Sequence, residues 1–88
     1  MTVTTNRPLV KLLTRPGCQP CEQAKFVIRK LRETLKVQFD AKSVNILKET
    51  QYAKYNDFLP VVLVDENPVC QIKVVERDLS EAITKAAS

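Results

Sequence analysis

The feature that most limits what this chain can become is a change of hydrophobic period across a short break, with two cysteines on its far side. Leu9-Val10-Lys11-Leu12-Leu13-Thr14 is apolar on both faces apart from Lys11, as a buried strand requires. Arg15-Pro16-Gly17 then interrupts the run with strong turn formers. From Pro20 to Leu35 the period lengthens: Cys21, Ala24, Ile28, Leu31 and Leu35 recur at three- and four-residue steps along one helix face. Pro20 suits the first turn of such a helix, where its missing N–H has no intrahelical acceptor in any case. The helix therefore starts at Cys18-Gln19-Pro20-Cys21.

The remaining elements follow from similar signals. Residues 37–46 (VQFDAKSVNI) alternate loosely and predict a second strand, and residues 48–55 predict a short polar helix pinned to the core by Tyr52 or Tyr55. Val61-Val62-Leu63-Val64 is the strongest strand signal. Asp65-Glu66-Asn67-Pro68 supplies turn chemistry, and residues 69–75 predict a strand returning beside it. Pro68 belongs at the start of that strand or on an edge, where a missing donor is tolerated. Asp78-Leu79-Ser80-Glu81 has the form of a capping pattern and predicts a last helix opened by Asp78. The order β-α-β-α-β-β-α implies an α/β domain. A strand–helix–strand crossover gives a parallel pair and the later turn an antiparallel hairpin, hence a four-stranded mixed sheet flanked by helices.

Eighty-eight residues leave room for one domain, with residues 1–8 expected as a flexible N-terminal tail. The net charge of +4 is spread among acidic residues, and the densest cationic stretch, Arg29, Lys30 and Arg32, has no interleaved aromatic residue to stack on a base. Nucleic acid is therefore not an expected partner. Nothing approaches the run of about 18 apolar residues that a membrane span needs, and the polar start lacks the apolar stretch of a secretion signal. A soluble monomer in a reducing, cytoplasmic compartment is the expectation. Three cysteines in such a place do not suit a structural disulfide framework, so redox or metal chemistry is expected of them.

A C-x-x-C is informative when it follows a strand and opens a helix. Two thiols at that spacing are close enough to bridge, and the helix end supplies unpaired N–H groups and a partial positive charge. Both favour the thiolate of Cys18, the sulfur expected to be more exposed, with help from Arg15 if its side chain turns back toward the site. Cys18 would attack a substrate disulfide, and Cys21, one turn further in, would resolve the mixed disulfide. Leu59-Pro60 heads the buried strand Val61–Val64, where a proline forfeits a ladder hydrogen bond. A cis Leu59–Pro60 bond would account for it, presenting the Leu59 backbone to an incoming chain beside Cys18. Gln19 and Pro20, between the cysteines, are the other candidate substrate contacts. Cys70 is expected as a small buried hydrophobe.

Thr14-Arg15-Pro16-Gly17-Cys18-Gln19-Pro20-Cys21-Glu22, Val44-Asn45-Ile46, Tyr55-Asn56-Asp57 and Leu59-Pro60-Val61-Val62 resemble the small glutaredoxin-like proteins and the redoxins that reduce ribonucleotide reductase. The resemblance spans roughly residues 9–83. It implies a thioredoxin fold, a nucleophilic Cys18, a resolving Cys21 and a cis-proline at Pro60. It also implies reduction of protein or small-molecule disulfides, with no bound cofactor and with electrons from glutathione or a flavoprotein reductase. Gln19-Pro20 departs from the tyrosine-containing pair of typical glutaredoxins. The stretch Val74-Val75-Glu76-Arg77-Asp78 lacks the Gly-Gly turn that holds glutathione in them. Two other readings stand beside this one. An iron–sulfur or metal-carrying module would use Cys18 as a ligand at a dimer interface, although zinc ordinarily takes four N or S ligands and the chain has three cysteines and no histidine. A redox-inactive thioredoxin-fold interaction domain would use neither thiol.

Overall fold

The computed structural model describes residues 7–87. Strands β1 (Leu9–Thr14), β2 (Asp40–Asn45), β3 (Val61–Val64) and β4 (Asn67–Gln71) form one sheet in the order β2-β1-β3-β4. The first pair is parallel and the other two antiparallel, so the sheet is mixed as its crossover and hairpin require. Helix α1 (Gln19–Thr34) joins β1 to β2, a 3-10 helix (Thr50–Phe58) joins β2 to β3, and helix α2 (Glu76–Ala87) closes the chain.

Alternation along the strands divides the core in two. Val10, Leu12, Val62, Val64 and Cys70 face α1 and α2, where Ala24, Ile28, Leu31, Leu79 and Ile83 meet them. Leu13, Val44, Val61 and Leu63 face the other way and are covered by Tyr52 of the 3-10 helix. Lys11 shares that second face. Its ammonium ion-pairs with Glu66 and donates to the Tyr52 hydroxyl at 2.9 Å, while that hydroxyl donates to Glu66 at 3.0 Å. The lysine that breaks β1's apolar run is thus not on an open face; it is tied down by two partners from distant segments.

The β3–β4 turn has an unexpected composition. Asp65 and Glu66 both sit in the left-handed region, at φ 49° and 70°, without a glycine. This is the backbone sense that a two-residue hairpin needs. Two attachments hold it there. The Asp65 carboxylate accepts from Leu9 N–H at 2.9 Å while Asp65 N–H donates to the Leu9 carbonyl, and the Glu66 carboxylate is held by Lys11 and Tyr52. Beyond the turn, Leu63 pairs with Pro68 and Val62 with Cys70, leaving Val69 as a bulge residue. An edge strand with a bulge is where a proline can be absorbed.

Several expectations shift at their ends. β2 begins at Asp40, three residues later than the alternation suggested, and the polar helix is a 3-10 helix displaced to Thr50–Phe58. β4 stops at Gln71 because Ile72 turns left-handed, at φ 70°, with its N–H donating to the carbonyls of Phe58 and Pro60. The last helix begins at Glu76, not at Asp78. Leu79 N–H donates to the Val75 carbonyl at 3.0 Å, so Asp78 lies inside the first turn and is no N-cap. Glu76 and Asp78 complement the helix dipole there. Residues 1–6 of the expected tail lie outside the described residues. Arg7 and Pro8, the rest of it, are attached: Pro8 is buried, its carbonyl accepts from Asp40 N–H, and Arg7 ion-pairs with Asp40 at 3.0 Å.

Leu79 fixes α2 to the core with none of its surface exposed. Leu79→Ala should therefore lower the stability of the oxidised protein by about 2–5 kcal/mol in urea unfolding. The turn network should show in acid. Hydrogen bonds from Lys11 and then Tyr52 hold the Glu66 carboxyl below the usual carboxylate range. Its contribution is present above the unfolded-state pKa and is lost as pH falls through the lowered folded value. The same bonds, Glu66 first, raise Lys11, whose share is lost only at strongly alkaline pH. Glu66→Gln should therefore lose less stability than wild type on going from neutral pH to about pH 3, measured by unfolding at each pH.

Candidate active site

The end of β1 hands the chain to α1 through a single turn. Cys18 N–H donates to the Arg15 carbonyl at 3.3 Å, and Gly17 sits at φ 82°. Pro16 and Gly17 thus occupy the two central positions of a type II turn, the second of which requires a positive φ. Nothing lies within 4 Å of where a Gly17 side chain would start, so the demand for glycine there is conformational and not steric.

That turn delivers Cys18 to the N-cap position of α1, with extended φ and ψ of −90° and 99°. Cys18 is partly exposed and Cys21, three residues in, is fully buried; the two are joined in a disulfide with a Cα–Cα distance of 5.3 Å. No side chain caps this helix, and Pro20 in the first turn brings no N–H. The open amides of the first turn and the positive end of the helix dipole therefore lie at the end of α1 that carries Cys18.

A groove runs past Cys18, walled by Arg15, Gln19 and Pro20 on one side and by Asn56, Asp57 and Leu59 on the other. Arg15 reaches across to the far wall: its guanidinium donates to the Asn56 side-chain oxygen at 2.7 Å. The Leu59–Pro60 peptide bond is cis. Leu59 is half-buried in the groove wall. Pro60 is buried and instead lines a neighbouring hollow with Pro20, Ala24 and Ile72. All seven residues singled out from the sequence (Arg15, Cys18, Gln19, Pro20, Cys21, Leu59 and Pro60) thus lie at one end of the molecule, with Pro60 a step removed from the Cys18 groove. Asn56, Asp57 and Leu47 were given no role in the sequence reading. The signals for the first two were the Tyr55-Asn56-Asp57 stretch of the resemblance and their place just ahead of Leu59-Pro60, and nothing marked Leu47, which the fold brings in from beyond β2.

Cys70 belongs elsewhere. It is buried in the core beneath α2 and unpaired. Burial pushes its thiol up from the ordinary range; a hydrogen bond with the Val75 backbone opposes this and the charge of Asp78 adds to it. Among the described residues no group of three or more His, Cys, Asp or Glu is gathered at one place. Nor is any helix among them long and apolar enough to cross a membrane.

A cysteine pair opening the first helix after the central strand, on a four-stranded mixed sheet flanked by helices, defines a thioredoxin-fold protein. The chain belongs to the family described as Glutaredoxin-like domain (DUF836), which it matches over residues 9–84. Among solved structures it is similar to protein Ne2328 from Nitrosomonas europaea, with a TM-score of 0.73 and 22% identity over 94% of this chain and 99% of that one. It is also similar to a thioredoxin variant from Halobacterium salinarum, at 0.66 and 15% over 96% and 79% of the two chains. A malarial protein gives 0.67 and 19% over 93% and 99%. At these identities the likeness concerns the fold. No curated protein matches the sequence.

The two classes of cysteine should differ sharply in reactivity. After reduction at neutral pH, iodoacetamide should modify Cys18 rapidly and Cys70 only slowly, with Cys70 becoming fully reactive on unfolding. Peptide mapping of timed samples reads both rates.

Proposed function

We propose that this protein is a thiol–disulfide oxidoreductase, an electron carrier that reduces disulfides through Cys18 and Cys21. The observation that carries the reading is the asymmetry of the pair: one sulfur partly exposed at a helix N-terminus beside a groove, the other buried one turn behind it. In the reduced protein the Cys18 thiolate attacks one sulfur of a substrate disulfide. A mixed disulfide forms and the other substrate sulfur leaves as a thiolate. Cys21, deprotonated, then attacks the Cys18 sulfur, restoring the internal disulfide and expelling the second substrate thiolate. Both released thiolates take protons from solvent, and two electrons have passed from the protein to the substrate. Glutathione or a flavoprotein reductase returns them in the cytoplasm.

The groove supplies the orientation this exchange needs. Arg15, fixed by Asn56, contributes positive charge near the attacking sulfur, and Gln19, Pro20 and Leu59 line the path of an extended substrate.

The test is reduction of a protein disulfide, assayed separately with glutathione plus its reductase and with thioredoxin reductase. Wild type should turn over with one of these donors. Cys18→Ser should fall to the uncatalysed rate, and Cys21→Ser should accumulate a mixed disulfide that non-reducing mass spectrometry detects. Loss of neither activity nor adduct in the Cys18 variant would contradict the assignment. A brown preparation, with visible absorbance lost when Cys18 is replaced, would favour a cluster-carrying module instead.

A further inference from the structure

A second groove lies along the opposite flank of α1, and it shares no lining residue with the Cys18 groove. Its floor is apolar: Leu12 and Ile28 are buried and Ala41 is half-buried. Its rim is cationic, with Arg29 and Arg32 exposed on α1 and Lys42 exposed on β2. None of these three has an ion-pair partner among the described residues, whereas Lys25, which also lines the groove, is held by Glu22, and Asp40 by Arg7. No acidic residue lines the groove.

The backbone of β2 gives the groove a direction. β2 is an edge strand, and among the described residues no strand pairs with its outer side. Asp40 N–H and Ile46 N–H both point to the β1 side, donating to the carbonyls of Pro8, just ahead of β1, and Thr14, at its end. In a parallel pair the N–H and C=O of one residue point to the same side and alternate along the strand. Ala41 and Ser43 therefore aim their donors and acceptors outward, into the groove.

We propose that this edge is a docking site for an acidic polypeptide segment that adds to the sheet as a further strand beside β2. The alternating donors and acceptors of Ala41 and Ser43 pair with an extended backbone. Side chains of the incoming strand on the α1 side lie over the apolar floor and reach Arg29 and Arg32, and those on the other side reach Lys42. A second copy of this chain does not fit, because pairing two β2 edges would bring two sets of the same cations together, an arrangement that discourages self-association. A nucleic acid would meet the cations but would leave the backbone groups unused, and no aromatic side chain lines the groove for a base to stack on. The site is independent of the redox reading and leaves the Cys18 groove open.

The probe is a fluorescein-labelled peptide of alternating Glu and Val, titrated with the full-length protein and read by anisotropy, with its Lys/Val counterpart as control. The Glu/Val peptide should bind and weaken as salt rises, and the amide resonances of Ala41 and Ser43 should shift. Arg29→Glu combined with Arg32→Glu should weaken binding by about tenfold or more. Ser43→Pro should abolish it: proline is tolerated at an outward-facing edge position, so the inner ladder to β1 stays intact. Should Ser43→Pro fail to fold, the arginine variant and the amide shifts still decide. Binding of the Lys/Val peptide as tightly, indifference to the arginine charge reversal, or unmoved Ala41 and Ser43 amides would overturn the proposal. So would tighter binding of a single-stranded oligonucleotide than of the Glu/Val peptide.

Discussion

One stripe of α1, formed by Cys21, Ala24, Ile28 and Leu31, is taken almost entirely out of water against the sheet and α2. Burying a large aliphatic side chain contributes about 1.5–3 kcal/mol, so Ile28 and Leu31 anchor the helix in position and azimuth. The consequence falls at its N-terminus. With α1 fixed on β1, the type II turn at Pro16-Gly17 is short enough to leave Cys18 little choice of place, and Cys21 is drawn into the core as part of the same stripe. The chemical difference between the two sulfurs is thus a packing result: one belongs to the helix's buried face and the other to its exposed cap.

Much of this was readable beforehand because it rests on local signals. The change from a strand-like run to helical spacing placed the cysteines at a strand–helix junction, and Val61–Val64 stood out as a strand by composition alone. What escaped depended on contacts between distant segments. β2 began late, since half of its residues are exposed and it carries a weak apolar pattern. β4 ended early because Ile72 N–H is claimed by Phe58 and Pro60, a partnership no local pattern encodes. The capping pattern at Asp78 misled for a related reason: α2 is started three residues upstream, at Val75, whose side chain can cap nothing. The place of Lys11 in an otherwise apolar run is explained only by Tyr52 and Glu66, which the fold brings to it from distant segments.

The candidate site shows the same division. Its cysteines, Arg15 and the Leu59-Pro60 step were marked by sequence, while the wall formed by Asn56 and Asp57 exists only because the 3-10 helix lays residues 56–57 opposite the α1 N-terminus. The two grooves also divide the molecule by chemistry. The end that carries the disulfide is mixed in polarity, and the β2 flank concentrates unpaired positive charge over an apolar floor. Under the proposed reading, a partner would be held at one surface while electrons are exchanged at the other.

The central claim is that Cys18 and Cys21 act as one reversible two-electron couple. Equilibrating the protein in graded glutathione redox buffers, quenching with an alkylating reagent and counting labels by mass spectrometry tests it directly. The account predicts that both thiols appear and disappear together along a two-electron Nernst curve. Its midpoint should lie nearer thioredoxin's, about −270 mV, than the strongly oxidising periplasmic value of about −120 mV. Labelling of the two cysteines as independent thiols, or a pair that stays reduced across the whole buffer range, would contradict it.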